Sequence, residues 1–263
     1  MSRRHITFGC EGETLVGTLD DAEGETGLLI VTGGNETRAG AYSGQAQMAE
    51  YFSALGFPVF RFDRRGVGDS TGKNGGYQSS LPDITAAIAA FRAEAPHVKR
   101  IVAHGNCDAA AVLMHVTNVD ARLLSNPWLY EEQGEAEDST PSAGAVRSRY
   151  LQKLTNPREL LRLFTGKVHF RKLLGGLKKA ASSGPKNANP KAANLAQLIK
   201  ENQPPVTILL AGRDRTAEYF LENWDKNDPR LHHCPSADHS FSGNDEREWF
   251  FSELRSILDE QTG

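Results

Sequence analysis

Apolar residues in this chain fall into two kinds of run. Short continuous runs closed by glycine, proline or charge occur at Leu28–Gly34 (LLIVTGG), Phe57–Asp63 (FPVFRFD), Val98–Gly105 (VKRIVAHG), Ala121–Trp128 (ARLLSNPW) and Pro204–Asp214 (PPVTILLAGRD). Such runs predict buried strands. Between them the apolar positions take helical spacing. Met48, Tyr51, Phe52 and Leu55 share one face of Ala46–Gly56, and Gly56 is a good stop. Leu81–Pro96 has Pro82 in its first turn, where a missing N–H is harmless. The C-terminal stretch EREWFFSELRSILDEQ is amphipathic. Strands that alternate with helices predict a mostly parallel sheet flanked by helices, an α/β architecture. A ligand site is then expected at the C-terminal strand ends, in the loops after Val31, Phe62, Ala103, Leu124 and Leu210.

One region breaks the alternation. Glu131–Gln203 begins polar (EEQGEAEDSTPSAG), continues as basic helical segments and passes through SSGPKNANPK, a predicted mobile loop. Leu160, Leu161, Phe164, Val168, Leu173, Leu174 and Leu177 give it an apolar face. The pattern predicts a body formed by residues 1–130 and 204–263, with 131–203 inserted as a helical cap. The apolar face is expected to pack on the body, and in the functional reading it also roofs a pocket.

Composition narrows the class. With 263 residues, 39% hydrophobic and 24% charged, the chain suits a globular core with an insertion. It has no apolar run of about 18 residues, so no transmembrane segment is expected. The opening MSRRHITFGC has no apolar stretch behind its arginines, and no secretory signal is expected. Cys10, Cys107 and Cys234 are few, odd in number and far apart. They predict neither a disulfide framework nor a metal site, and they suit a reducing, cytoplasmic setting. No cofactor is called for. Charge is uneven: Arg147–Lys200 holds 13 Lys/Arg against the single acid Glu159, a net of +12, which leaves −15 on the rest of a chain whose total is −3. A basic segment in an acidic body would face an anionic substrate or be a solvated helical face. No aromatic stacking platform accompanies it, so nucleic acid is not the expected partner.

The most informative stretch is RIVAHGNCDAAAVLM, Arg100–Met114. A strand meets a helix at Gly105-Asn106-Cys107-Asp108-Ala109, the Gly-x-nucleophile-x-small pattern of a nucleophile elbow, with alanine in place of the second glycine. Such a turn lifts the nucleophile above the sheet, and small neighbours let strand and helix approach closely. The N–H of Asp108 then points to where an oxyanion would form. Cysteine is a better nucleophile than serine, and a helix N-terminus helps it ionise. A buried core cysteine is the alternative.

Partners in the order nucleophile, acid, base are present. Asp214 ends an apolar run, and His239, 25 residues on in SADHSFSG, directly precedes the last helix. His104, His232 and His233 fall within strand-like pieces, and Asp238 adjoins the histidine; Asp225 and Asp228 are fallback acids. The second oxyanion donor is expected from Gly34 or Asn35, with Gly33 allowing close approach. RRGVGDSTG is not a phosphate loop, since it lacks the lysine-serine ending.

These motifs resemble the alpha/beta-hydrolase superfamily over nearly the whole chain. FPVFRFDRRGVGDS, GNCDAAA, LLSNPW, LLAGRDRTAEYF and ADHSFS together are similar to the exosortase A system-associated hydrolases, which also carry a Cys-Asp-Ala elbow. The resemblance implies a Cys-Asp-His triad on Cys107, Asp214 and His239. Cysteine in place of serine departs from most of the superfamily and resembles dienelactone hydrolases.

The leading expectation is a hydrolase of a small-molecule carboxylic ester or thioester, working through an acyl-Cys107 intermediate. Acyl transfer by the same triad is the second reading, and a non-catalytic binding protein of this fold the third. Arg147, Arg149 and Lys153, at the start of the first cap helix, are expected to line the pocket mouth.

Overall fold

The computed structural model describes residues 2–76, 79–130, 189–200 and 204–262. Its described elements run β1 (Ser2–Cys10), β2 (Glu13–Asp21), β3 (Thr26–Val31), α1 (Gly44–Ala54), β4 (Val59–Phe62), α2 (Ser80–Glu94), β5 (Arg100–Asn106), α3 (Asp108–Leu113), β6 (Ala121–Ser125), α4 (Pro190–Lys200), β7 (Val206–Ala211), α5 (Arg215–Glu222), β8 (Leu231–Cys234) and α6 (Asn244–Glu260). Eight strands form one sheet in the order β1-β2-β4-β3-β5-β6-β7-β8. β1 pairs antiparallel with β2, and β2 with β4; every other pairing is parallel.

The central strands are apolar throughout because both faces are covered. Leu28 and Ile30 of β3 join Val102, Leu123 and Leu209 against α1 (Met48, Ala49, Phe52) and α6 (Phe250, Leu254, Ile257, Leu258). On β4, Phe60 stacks on Phe91 of α2 at 5.5 Å between ring centroids. Each fully buried leucine, isoleucine or phenylalanine contributes roughly 1.5–3 kcal/mol.

The β1–β2 hairpin is an element the sequence analysis did not assign. β1 carries charge at its outer positions and is exposed over most of its length, so no apolar run announces it. Its signal was the turn. Cys10 pairs with Glu13, and both intervening residues have positive φ (Glu11 49°, Gly12 84°), as a two-residue hairpin turn of the right twist requires.

α3 stops after six residues. Arg122, fully buried in β6, aims its guanidinium at that end. Nη1 donates to the carbonyls of Leu113 (3.2 Å), Met114 (2.9 Å) and Val116 (3.2 Å), and Nη2 to Pro204 O (2.8 Å).

The chain divides into two compact units, residues 1–128 with 191–263, and 129–190. Lys191 onward thus lies in the first unit, although the sequence groups it with the insertion. In the second unit, Asn189 Nδ2 donates to Leu129 O at 3.2 Å. The remainder of the expected cap, including Arg147, Arg149 and Lys153, lies outside the described residues. No helix among the described residues is long and apolar enough to cross a membrane.

Candidate active site

Cys107 stands alone between β5 and α3, with φ 61° and ψ −121°. Few non-glycine residues adopt such a backbone, and the surroundings hold it there. Its N–H donates to Ser125 O (2.9 Å), and its carbonyl accepts from Trp128 N (3.1 Å). Gly105 is required by the same turn: a Cβ on it would lie 3.0 Å from the Ala109 carbonyl carbon and 2.9 Å from Leu113 Cδ1. Ala109, in the place of the motif's second glycine, is buried and fits. Cys107 is partly exposed, whereas Cys10 and Cys234 are buried. Burial and the neighbouring Asp83 push the Cys10 thiol up to about 11, which keeps it inert.

Asp214 and His239 come together. Asp214 caps α5, accepting from Ala217 N (3.2 Å), and its Oδ2 lies 2.9 Å from His239 Nδ1. The Asp214 side chain is nearly buried while the His239 ring is part exposed. With Nδ1 on the carboxylate, Nε2 is the ring nitrogen left over, and interaction with Cys107 also favours the protonated ring. The two contacts, Asp214 first and Cys107 second, raise His239 to about 10 against the opposing effect of burial. This imidazole therefore holds a proton well above the ordinary histidine range.

The other candidates are engaged elsewhere. Asp228 is held down to about 2 by its bonds to Arg230 and also accepts from Trp224 Nε1 (2.9 Å). Asp225 is exposed and accepts from Asn227 N. Asp238 accepts from the N–H groups of Ser240 and Ser242. His232 pairs with Glu253 at 2.6 Å. His104 is buried in β5 against Leu123 O (3.1 Å), and desolvation lowers it to about 4.

The oxyanion side differs from expectation at Gly34. Its N–H donates to Asp108 Oδ1 at 2.8 Å, so it is not a free donor. Asp108 is drawn there because the same oxygen accepts from Ala109 N (2.8 Å) and Arg64 Nη2 lies 3.4 Å from Oδ2. Arg64 Nη2 also donates to Gly34 O, and Nη1 to Ser80 Oγ (2.8 Å), which ties the loops after β3 and β4 to the elbow. Gly33 permits this: a Cβ there would lie 2.6 Å from Asp108 Oδ1 and 2.9 Å from Asn106 O. The Asp108 N–H, first amide of α3, has no partner within the helix by position. Of the two sequence candidates in the β3 loop, Asn35 is the one whose N–H is not given to Asp108.

Sequence reasoning missed Arg64, Asn106 and Asn126, which make the contacts around the elbow and His239. Each is a polar residue at or just beyond a C-terminal strand end, and that placement was the available signal. RRGVGDSTG folds as a structural loop. Asp63 accepts from Asp69 N (3.1 Å) and pairs with Arg38, and Gly68 (φ 57°) lies against the Asp63 carboxylate. Among the described residues, no group of three or more His, Cys, Asp or Glu side chains is placed to hold a metal ion.

A parallel sheet extended by an antiparallel hairpin, with a sharp strand-to-helix turn at Cys107 after β5 and an Asp–His pair on later loops, defines the alpha/beta hydrolase fold. The chain belongs to the alpha/beta hydrolase family, whose model matches residues 28–253. Among solved structures it is similar to the Pyrococcus furiosus esterase Pf2001 (TM-score 0.65, 18% identity, covering 100% of this chain and 92% of that one). It is also similar to the alpha/beta hydrolase GrgF from Penicillium sp. sh18 (TM-score 0.59, 17% identity, 99% and 96% covered). A third is an alpha-beta serine hydrolase homologue from Coxiella burnetii (TM-score 0.56, 15% identity, 100% and 99% covered). A sequence search of curated proteins finds no match.

Proposed function

We propose that the protein hydrolyses a carboxylic ester or thioester through an acyl-cysteine intermediate, with Cys107 as nucleophile, His239 as base and Asp214 as its orienting acid. One observation carries this reading: the imidazole that pairs with the Asp214 carboxylate at 2.9 Å has its proton held also by interaction with the cysteine of a strand-to-helix elbow. The esterase among its structural neighbours and the family itself are consistent with it. The resemblance of the Cys-Asp-Ala elbow to the exosortase A system-associated hydrolases belongs to the same proposal.

In this mechanism the proton of Cys107 already rests on His239, whose imidazolium Asp214 stabilises, so that the sulfur is free to attack. The sulfur attacks the acyl carbonyl carbon, and the C=O pair moves onto oxygen. The N–H groups of Asp108 and Asn35 are the proposed donors to that oxygen. Collapse expels the alcohol or thiol, which leaves with the proton from His239. A water then attacks the acyl carbon, giving its proton to His239. The carboxylic acid departs and Cys107 is restored. Arg147, Arg149 and Lys153 are proposed to attract an anionic substrate.

The test is turnover of a panel of short- and long-chain esters and thioesters, with and without alcohol and amine acceptors. Cys107→Ala is expected to lose activity altogether. Cys107→Ser is expected to fold and lose most of it, because a site built for a thiol need not activate an alcohol. Full activity in Cys107→Ala would overturn covalent catalysis at this position. Product on the acceptor in place of free acid would make the protein an acyltransferase.

A further inference from the structure

Behind the site stand two amide side chains that the steps above do not use. Asn126 follows β6, is fully buried, and has φ 46°, in the left-handed region that asparagine tolerates better than most residues. Its N–H donates to Leu209 O at 2.9 Å. Its Oδ1 accepts from Ala211 N (2.9 Å), and its Nδ2 donates to Asn106 Oδ1 (3.1 Å) and to the His239 carbonyl (3.1 Å). Asn106 Nδ2 donates to that same carbonyl at 3.0 Å. The orientation of both amides is fixed by their partners. Ala211 offers a donor and the His239 carbonyl only accepts, so Asn126 must turn oxygen to the first and nitrogen to the second.

Every partner is close in sequence to the site. Asn106 immediately precedes Cys107, and Ala211 ends the strand whose turn carries Asp214. The carbonyl belongs to His239 itself. Cys107 and Asp214 sit at or near strand ends, but His239 lies in the irregular stretch between β8 and α6. Its position relative to the other two is not set by the sheet alone. Two side-chain donors on its carbonyl tie its main chain to β5 and β6.

Resting on the triad reading above, we propose that Asn126 and Asn106 are positioning residues that hold the His239 main chain where its ring reaches Asp214 and Cys107 together. Asn126→Asp keeps the shape but turns a carboxylate oxygen toward two acceptors, Asn106 Oδ1 and His239 O. Asn106→Ala removes one of the two donors to His239 O and leaves the Asn126–Ala211 bond in place. Both variants let the ring drift, and a displacement of about 1 Å at a catalytic group can reduce turnover roughly 100-fold.

The experiment follows the His239 ring titration by NMR in the full chain, using isotope-labelled histidine and His239→Gln for assignment, beside kcat and KM on p-nitrophenyl acetate. The groups facing the ring are Asp214 and Cys107, while neighbouring Asp238 is engaged by Ser240 and Ser242. In Asn106→Ala the His239 midpoint is expected to fall toward the ordinary histidine value, and in Asn126→Asp to fall by less, because the added carboxylate favours the protonated ring. In both, kcat is expected to drop about 10- to 100-fold with KM little changed. A purely structural role would lower stability and move neither readout. Should Asn126→Asp fail to fold, Asn106→Ala carries the test. Titration and kcat like the native protein in every folded variant would overturn the proposal, even if the native protein is an active hydrolase. If the native protein hydrolyses no ester while the His239 midpoint still falls in the variants, the positioning role stands and the hydrolase reading fails.

Discussion

At the residue scale the strongest physical signature is on His239. Its folded value of about 10 stands above the roughly 6.5 of an unfolded histidine. The folded state therefore binds the extra proton between those limits. The pair's contribution to stability is complete below about pH 6.5 and is lost as pH rises toward about 10. The ring is 41% exposed, so solvent screens the effect and keeps it modest. Urea unfolding at pH 6, 8 and 10 should show a smaller decline for Asp214→Asn than for the native protein. Parallel declines would mean the pair is not formed in solution. The elbow was legible in the sequence because Gly105, Cys107 and Ala109 have a fixed local spacing, and Asp214 and His239 because chain order and strand ends locate them. Gly34 was not, because its N–H is taken by Asp108, a side chain 74 residues away whose direction is set by Ala109 and Arg64.

At the element scale, continuous apolar runs located β3 to β7 in the sequence, since strands covered on both faces read that way. The β1–β2 hairpin escaped because its outer strand is charged and exposed. Arg122 was hidden inside an apolar run, and here it anchors an element. Burial lowers it to about 10, yet with no acid as partner among the described residues it remains bonded to four carbonyls. Two effects oppose each other in Arg122→Met. Removing a desolvated cation is favourable, and stranding buried carbonyls costs about 1–3 kcal/mol each. Leu113 O keeps a bond from Val116 N, so the carbonyls of Met114, Val116 and Pro204 decide the balance. A net loss of about 2–4 kcal/mol is expected in urea unfolding. Native-like stability in Arg122→Met would show that the guanidinium contributes no net stabilisation.

For the whole molecule the dominant asymmetry is electrostatic: +12 on residues 147–200 against −15 on the remainder. If this segment draws an anionic thioester, kcat/KM on that substrate should fall as salt rises, because exposed charges are screened beyond about 10 Å at 0.1 M. The same rise should leave a neutral short-chain ester almost unaffected. Equal salt dependence for the two would reduce the segment to a solvated or internally paired face. The central claim, a covalent acyl-cysteine at the elbow, is tested most directly by intact mass after rapid quenching with p-nitrophenyl acetate. The account predicts a single acetyl adduct that maps to Cys107 and is absent from Cys107→Ala. Ester turnover that persists in Cys107→Ala, with no adduct on Cys107 in the native protein, would contradict it.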